Sequence, residues 1–291
     1  MGIIRFGPSG NEELFYLEGN KRSVEAPKWL KEKGLNAYEY SFGRGYKMSF
    51  QVAEEIGKEA KKNDILVSVH APYYINFANP SDEAFEKSKN YILTGLEYLK
   101  RLNGRDLVVH IGSCGKNDRN SSIDLVRERL KEFILTIENN KDYDGLYICL
   151  ETMGKFQQIG TYEEIIDLCS INDKLIPTFD FGHINALTKG GLKTKEDFKK
   201  IIDYSMEKLG EYKTKNCHIH FSKIEYGDKG GEIRHLDFDD NIYGPNFAPL
   251  AEVIAEYNMT PTIICESKTK MMQNALEMKN IYETVSMAKK Y

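Results

Sequence analysis

Eight short apolar runs, most of them ending on or beside a polar residue, punctuate this chain. They cover 2–6, 35–40, 65–71, 106–111, 146–151, 175–180, 216–221 and 261–266. Most are rich in Ile, Val, Tyr and Phe, side chains that suit a buried pleated strand. Amphipathic stretches separate them at 48–61, 82–102, 121–139, 161–170, 195–209, 248–257 and 271–289. In the second stretch Ile92, Leu93, Leu96, Leu99 and Leu102 share one helical stripe, and Ser81 before Asp82 and Glu83 reads as a helix start. The crossover between Phe6 and Leu35 contains Pro27-Lys28-Trp29-Leu30, which suggests a short helix. Strands that alternate with helices pair in parallel, and eight such units close into a (β/α)8 barrel. The competing architecture is an open doubly wound sheet. No GxGxxG follows any run, which argues against its dinucleotide-binding form. A length of 291 residues fits one barrel domain over 1–291.

The polar ends of the runs carry the functional information. His70 closes the third run, His110 the fourth, Glu151 the fifth and Asp180 the sixth, with His183 three residues later. The seventh run holds His218 and His220, and Glu266 closes the eighth. Five of the six histidines therefore lie at or just after a strand's C-terminal end, and His235 lies in the long loop after the seventh. In a barrel these ends converge on one face. Imidazole and carboxylate are the usual ligands of zinc-like ions, and carboxylates bridge two ions well. Carboxylates crowded into one mouth repel one another unless cations relieve them. So large a set exceeds the needs of one tetrahedral ion and points to two or three. His218 and His220, two apart, share a strand face; spacing alone leaves open which one ligates.

The same residues resemble the endonuclease IV family of zinc-dependent apurinic/apyrimidinic endonucleases. His70-Ala71-Pro72-Tyr73-Tyr74-Ile75-Asn76 resembles the family's H-A-P-Y-x-I-N, and Glu86-Lys87-Ser88 its E-K-S. His110-Ile111-Gly112-Ser113 resembles H-P-G-S, and Glu151-Thr152-Met153-Gly154 resembles E-N-T-A-G one residue shorter. Asp180-Phe181-Gly182-His183 matches D-x-x-H, His218 matches the seventh-strand histidine, and Glu266 matches the final glutamate. The resemblance implies three zinc sites: His70, His110 and Glu151; Glu151, Asp180, His218 and Glu266; and His183 with His235. Manganese is an alternative ion. Arg234-His235 resembles the family's D-R-H, whose Asp falls on Ile233, a side chain that cannot ligate. Glu232, one residue earlier, or His220 is the candidate replacement.

The implied chemistry is hydrolysis of a DNA phosphodiester 5′ to an abasic site. Glu151, Asp180 and Glu266 are the implied catalytic carboxylates, and Arg44, Tyr73 and Asn76 the implied DNA contacts. Two other readings stand beside it: a sugar isomerase or epimerase of the xylose-isomerase type, and a non-catalytic metal- or nucleic-acid-binding relative. The net charge of −4 argues against a protein that coats nucleic acid by charge alone, although bound cations would supply local positive charge. No apolar run approaches eighteen residues, so no membrane helix is expected. The first ten residues show neither a secretory nor a myristoylation pattern. Cys114, Cys149, Cys169, Cys217 and Cys265 are odd in number and lack CxxC spacing, so reduced thiols and a cytoplasmic location are expected. A monomer is the expected state.

Overall fold

Residues 2–288 are described by a computed structural model. In chain order the strands are β1 (Arg5–Pro8), β2 (Ala37–Ser41), β3 (Leu66–His70), β4 (Asp106–Val109), β5 (Tyr147–Glu151), β6 (Leu175–Asp180) and β7 (His218–Phe221). A hairpin follows, β8 (Lys223–Tyr226) and β9 (Glu232–Leu236), and then β10 (Thr262–Cys265). The strands other than the hairpin form one eight-stranded sheet in the order β1-β10-β7-β6-β5-β4-β3-β2, with parallel pairing throughout. Each expected run yields a strand of this sheet. The first begins late, because pairing with β10 starts only at Arg5 opposite Thr262.

Closure of the barrel depends on Gly7. A Cβ there would lie 1.9 Å from the Ala37 carbonyl oxygen, so only glycine lets β1 approach β2 at the seam. Asn36 N donates to Phe6 O at 3.1 Å, and Ser9 bridges Glu39 in parallel, so the sheet joins its own edge.

The helices are α1 (Glu13–Leu17), α2 (Ala26–Glu32), α3 (Phe50–Lys62), α4 (Asp82–Arg101), α5 (Arg119–Ile137), α6 (Tyr162–Cys169), α7 (Phe181–Leu187), α8 (Lys195–Lys215), α9 (Phe247–Glu256) and α10 (Met271–Ala288). The expected stretch 271–289 ends one residue outside the described residues. Ser81 caps α4 through its side chain, as the sequence suggests, and Pro27 opens α2. α8 is interrupted at Gly210, whose φ of 77° breaks the helical path one residue after the expected end at 209. Among the described residues, no helix is long and apolar enough to cross a membrane.

Alternation along the strands sorts the side chains. Val67, Val69, Leu107, Val109, Ile148, Leu150, Phe179 and Ile219 are fully buried and belong to the continuous core that includes Ile56, Leu96, Leu130, Phe133 and Ile202 of the helices. Each such side chain contributes roughly 1.5–3 kcal/mol by leaving water. The other face of the strands points into the barrel, and there the filling is unusually polar. Glu39, Ser68, Asp106, Thr178, His218 and His220 are all at most 1% exposed.

One cation outside the barrel sets the loop that leaves β3. Arg129 on α5 is buried and donates to the carbonyls of Phe77 (3.2 Å), Pro80 (3.2 Å) and Asn79, and to Asp82 Oδ1 (3.1 Å). Arg129→Ala would strand these carbonyls. It should lower unfolding stability by about 3 kcal/mol, read as a lower urea midpoint at unchanged slope.

Candidate metal centre

Glu151 ends β5 with no solvent exposure, and three imidazoles meet its carboxylate within hydrogen-bonding distance. His110 Nε2 lies 2.8 Å and His70 Nε2 3.1 Å from Oε2, while His220 Nδ1 lies 3.0 Å from Oε1. Burial alone would raise the acid's pKa, but His110 and His220 outweigh it and hold it well below the usual carboxylate range. For His70 burial favours the neutral ring, and Glu151 reverses this, pushing the metal-free imidazole up to about 9. His70 also directs Nδ1 to the Ala71 carbonyl at 2.8 Å. A proton on Nδ1 leaves the Nε2 lone pair facing the mouth, the orientation that metal-ligating histidines need.

Asp180, Glu151, His220 and Glu266 form a second group whose ligand atoms all lie within 4.8 Å of one another. Asp180 Oδ1 caps α7 by accepting from His183 N at 2.8 Å, whereas its Oδ2 is buried with no hydrogen-bond partner among the described residues and has His183 Nδ1 3.3 Å away. Burial raises the Asp180 pKa, and Glu266 and Glu151 add to that against the opposing pull of His183. A buried orphan oxygen among like charges is what a cation would satisfy. The sequence resemblance places His218 in this group; in the structure His220 stands there, and His218 falls with Glu39 and His220 in a separate, deeper group whose ligand atoms could also hold an ion. His218 lies opposite Thr178 and His220 opposite Asp180 in the β6–β7 register. Two residues along a strand is roughly 6.6 Å, so His218 sits one layer deeper, bonded to Glu39 and Asp106 instead.

The third group is His183, Glu232 and His235. His183 directs Nδ1 to the Thr152 carbonyl at 2.9 Å and has Nε2 3.6 Å from Glu232 Oε2. His235 pairs Nδ1 with Ser222 Oγ at 2.9 Å and has Nε2 3.8 Å from Glu232 Oε1. Ile233 is 55% exposed and takes no part. The reason is a β-bulge. Glu225 pairs with Arg234 but Tyr226 pairs with Glu232, so Ile233 is an extra residue in β9. Glu232 and His235, three apart, would face opposite sides of a regular strand. The bulge turns them to one side. Glu232 N donates to Gly154 O at 2.7 Å and Gly231 N to Ala186 O at 2.9 Å, which holds the bulged strand against the rim.

A cavity of about 510 Å³ opens over these groups. Tyr73 and Tyr74, each about half exposed, form part of its wall, and their rings lie 4.8 Å apart. Asn76 also lines it, but its Oδ1 is spent on the backbone N–H groups of Ala78 and Ser113, both at 3.1 Å. Arg44 stands exposed in the turn after β2 and does not line the cavity. Lys155, which sequence reading passes over, is the one Lys or Arg among the lining residues, 4.0 Å from Glu232. Glu39 is missed in the same way, although an acid flanked by Tyr38 and Tyr40 inside the run 35–40 is a signal.

Eight parallel strands whose C-terminal ends bring imidazoles and carboxylates together define a TIM barrel with side-chain groups able to hold metal ions. Residues 27–288 match the family model of the xylose isomerase-like TIM barrel, and the chain belongs to that family. It is 33% identical over 254 residues to an uncharacterised protein of Methanocaldococcus jannaschii, covering 86% of this chain and 88% of that one. It is 32% identical over 201 residues to a probable endonuclease 4 of Staphylococcus saprophyticus, covering 67% of this chain and 62% of that one. Among solved structures, endonuclease IV of Thermus thermophilus superposes with a TM-score of 0.71 at 17% identity, covering 96% of this chain and 99% of that one. A D-tagatose 3-epimerase-like protein superposes at 0.70 and 22% identity, covering 99% and 100%. At such identities the superpositions establish the fold alone.

Proposed function

We propose that the protein is a zinc-dependent phosphodiesterase that cleaves DNA 5′ to abasic sites. The observation that carries this reading is the third group, in which Glu232 joins His183 and His235 beside the two groups that share Glu151. Three adjoining ligand sets suit phosphoryl transfer, where charge must be balanced at the attacking oxygen, the phosphate and the leaving oxygen. His70, His110 and Glu151 would hold one ion, Glu151, Asp180, His220 and Glu266 a second, and His183, Glu232 and His235 a third. The mixed imidazole and carboxylate donors suit zinc, with manganese as a substitute. Bound there, the ions would polarise the phosphate and lower the pKa of water near it.

The chain's own groups do the rest. Glu151 stays ionised at neutral pH and is shared by two sets. The carbonyls of Ala71 and Thr152 fix which nitrogen of His70 and His183 faces inward. Lys155 supplies a local positive charge for a phosphate in a chain that is acidic overall. Tyr73 and Tyr74 offer ring faces to a base or an exposed sugar, and Arg44 approaches the backbone beside them. An abasic nucleotide enters such a mouth at little cost, because no base pair is broken. A monomer acting in the cytoplasm fits this reading.

A duplex with one abasic site, incubated with and without chelator while bound metal is counted, tests it. The expected result is a nick 5′ to the lesion, lost on chelation, with two or three ions per chain. Tyr73→Ala should weaken binding of that duplex about tenfold while leaving the metal count unchanged. Bound metal without nicking, together with turnover of a ketose, would replace this reading with a sugar isomerase. A protein that retains no metal would replace it with a binding role.

A further inference from the structure

Beneath the rim lies a second tier of buried ionisable groups that the proposed chemistry leaves unused. Arg105 grips Asp106 through two parallel bonds, Nε to Oδ1 at 2.8 Å and Nη2 to Oδ2 at 2.7 Å. Asp106 Oδ2 faces His218 Nδ1 at 3.3 Å, and His218 Nε2 lies 3.0 Å from Glu39 Oε2. The same Glu39 oxygen accepts from Ser68 Oγ at 2.8 Å. Glu39 Oε1 lies 3.0 Å from His220 Nε2, and His220 Nδ1 reaches Glu151 on the rim. Strands β2, β3, β4 and β7 thus contribute to one connected chain that climbs from the barrel interior to the candidate centre.

The orientation of His220 sets it apart from the other rim histidines. His70, His183 and His235 anchor Nδ1 on a carbonyl or hydroxyl and present Nε2. His220 is reversed: Nδ1 faces Glu151 and Glu266, and Nε2 points down the barrel. A histidine ligates through one nitrogen, and the partner of the other nitrogen decides which. His220 Nε2 and Glu39 Oε1 are both buried and 3.0 Å apart, and neither makes a hydrogen bond among the described residues, which leaves each as the group nearest to satisfy the other. Glu39 cannot turn away, since Ser68 and His218 hold its second oxygen and Asp106 with Arg105 holds His218.

We propose that Glu39 sets His220 as a metal ligand, its carboxylate facing the Nε2–H as acceptor so that the proton stays on Nε2 and the Nδ1 lone pair faces the rim. His218 then acts as a positioning residue for Glu39 and is not itself a ligand. The inference rests on the metal reading above and concerns only the second ion, the one assigned to Glu151, Asp180, His220 and Glu266.

Cobalt titration of the chelator-stripped full-length protein, followed by visible absorption, tests it. In Glu39→Gln one class of cobalt site should lose about 10- to 100-fold in affinity and its absorption bands should shift, while the other sites fill as in the unaltered protein. A purely structural role for Glu39 would lower thermal stability and leave the bands in place. Should Glu39→Gln fail to fold by circular dichroism, Glu39→Asp keeps the charge, withdraws it by one methylene, and should give the same selective loss. A folded variant of either kind with unchanged affinities and spectrum overturns the inference and leaves the metal reading standing. Failure of the unaltered protein to bind cobalt or zinc overturns both.

Discussion

Glu151→Gln should abolish activity on an abasic duplex, by at least about 10³-fold, and should lower the bound-metal count. Glu151 belongs to two of the ligand groups, and His70, His110 and His220 all meet its carboxylate. A neutral amide keeps the shape but loses a donor to both ions at once. Removing the side chain altogether should also harm the metal-free fold. In Glu151→Ala three imidazoles lose their counter-charge, two of them buried, a change that costs about 3–5 kcal/mol where a buried pair is broken. Single-turnover nicking, elemental analysis and urea titration separate these effects. Wild-type activity in Glu151→Gln with a full metal count would remove Glu151 from the centre.

Metal removal should destabilise the protein, and increasingly so as pH rises. In the metal-free protein His70 and His183 both have pKa values pushed up to about 9, against burial, by Glu151 and by Asp180 respectively. A raised pKa stabilises the fold fully below the unfolded value near 6.5 and loses that contribution as pH climbs through 9. The metal-free protein should therefore weaken between about pH 6.5 and 9. Metal binding runs the other way, because protons compete with the ions for the same nitrogens. The gap in melting temperature between loaded and chelated protein should widen across that window. Differential scanning fluorimetry at pH 6, 7.5 and 9 checks this, and a gap that shrinks with pH would contradict the assignment of His70 and His183 as ligands.

The barrel was legible because its strands are buried on both faces and read as apolar runs. The rim was legible because parallel strands end together, so His70, His110, Glu151, Asp180 and Glu266 needed no long-range information to be grouped. What stayed hidden depended on depth and local geometry. Period-2 alternation puts His218 and His220 on one side of β7 but says nothing of their height against β6. The sequence resemblance favoured the deeper one, and only the Asp180–His220 register settles the level. Glu39 sits in β2, far along the chain from its partner His220 in β7, a separation that no periodicity reports. The short helix α7 begins inside the D-x-x-H segment and runs on to Leu187, and the hairpin of β8 and β9 occupies what the sequence suggested was a loop.

That hairpin bears on how such a site survives length changes over evolution. With Ile233 absent, Glu232 would stand two places before His235 in a regular strand, and the pair would again face one way. The acid and the imidazole thus keep their common aim whether the segment between them holds one residue or two. An insertion here is absorbed as a local kink, and the chemistry downstream is spared. Column-by-column matching of chains can then report a missing acid where the fold has kept one facing the same group.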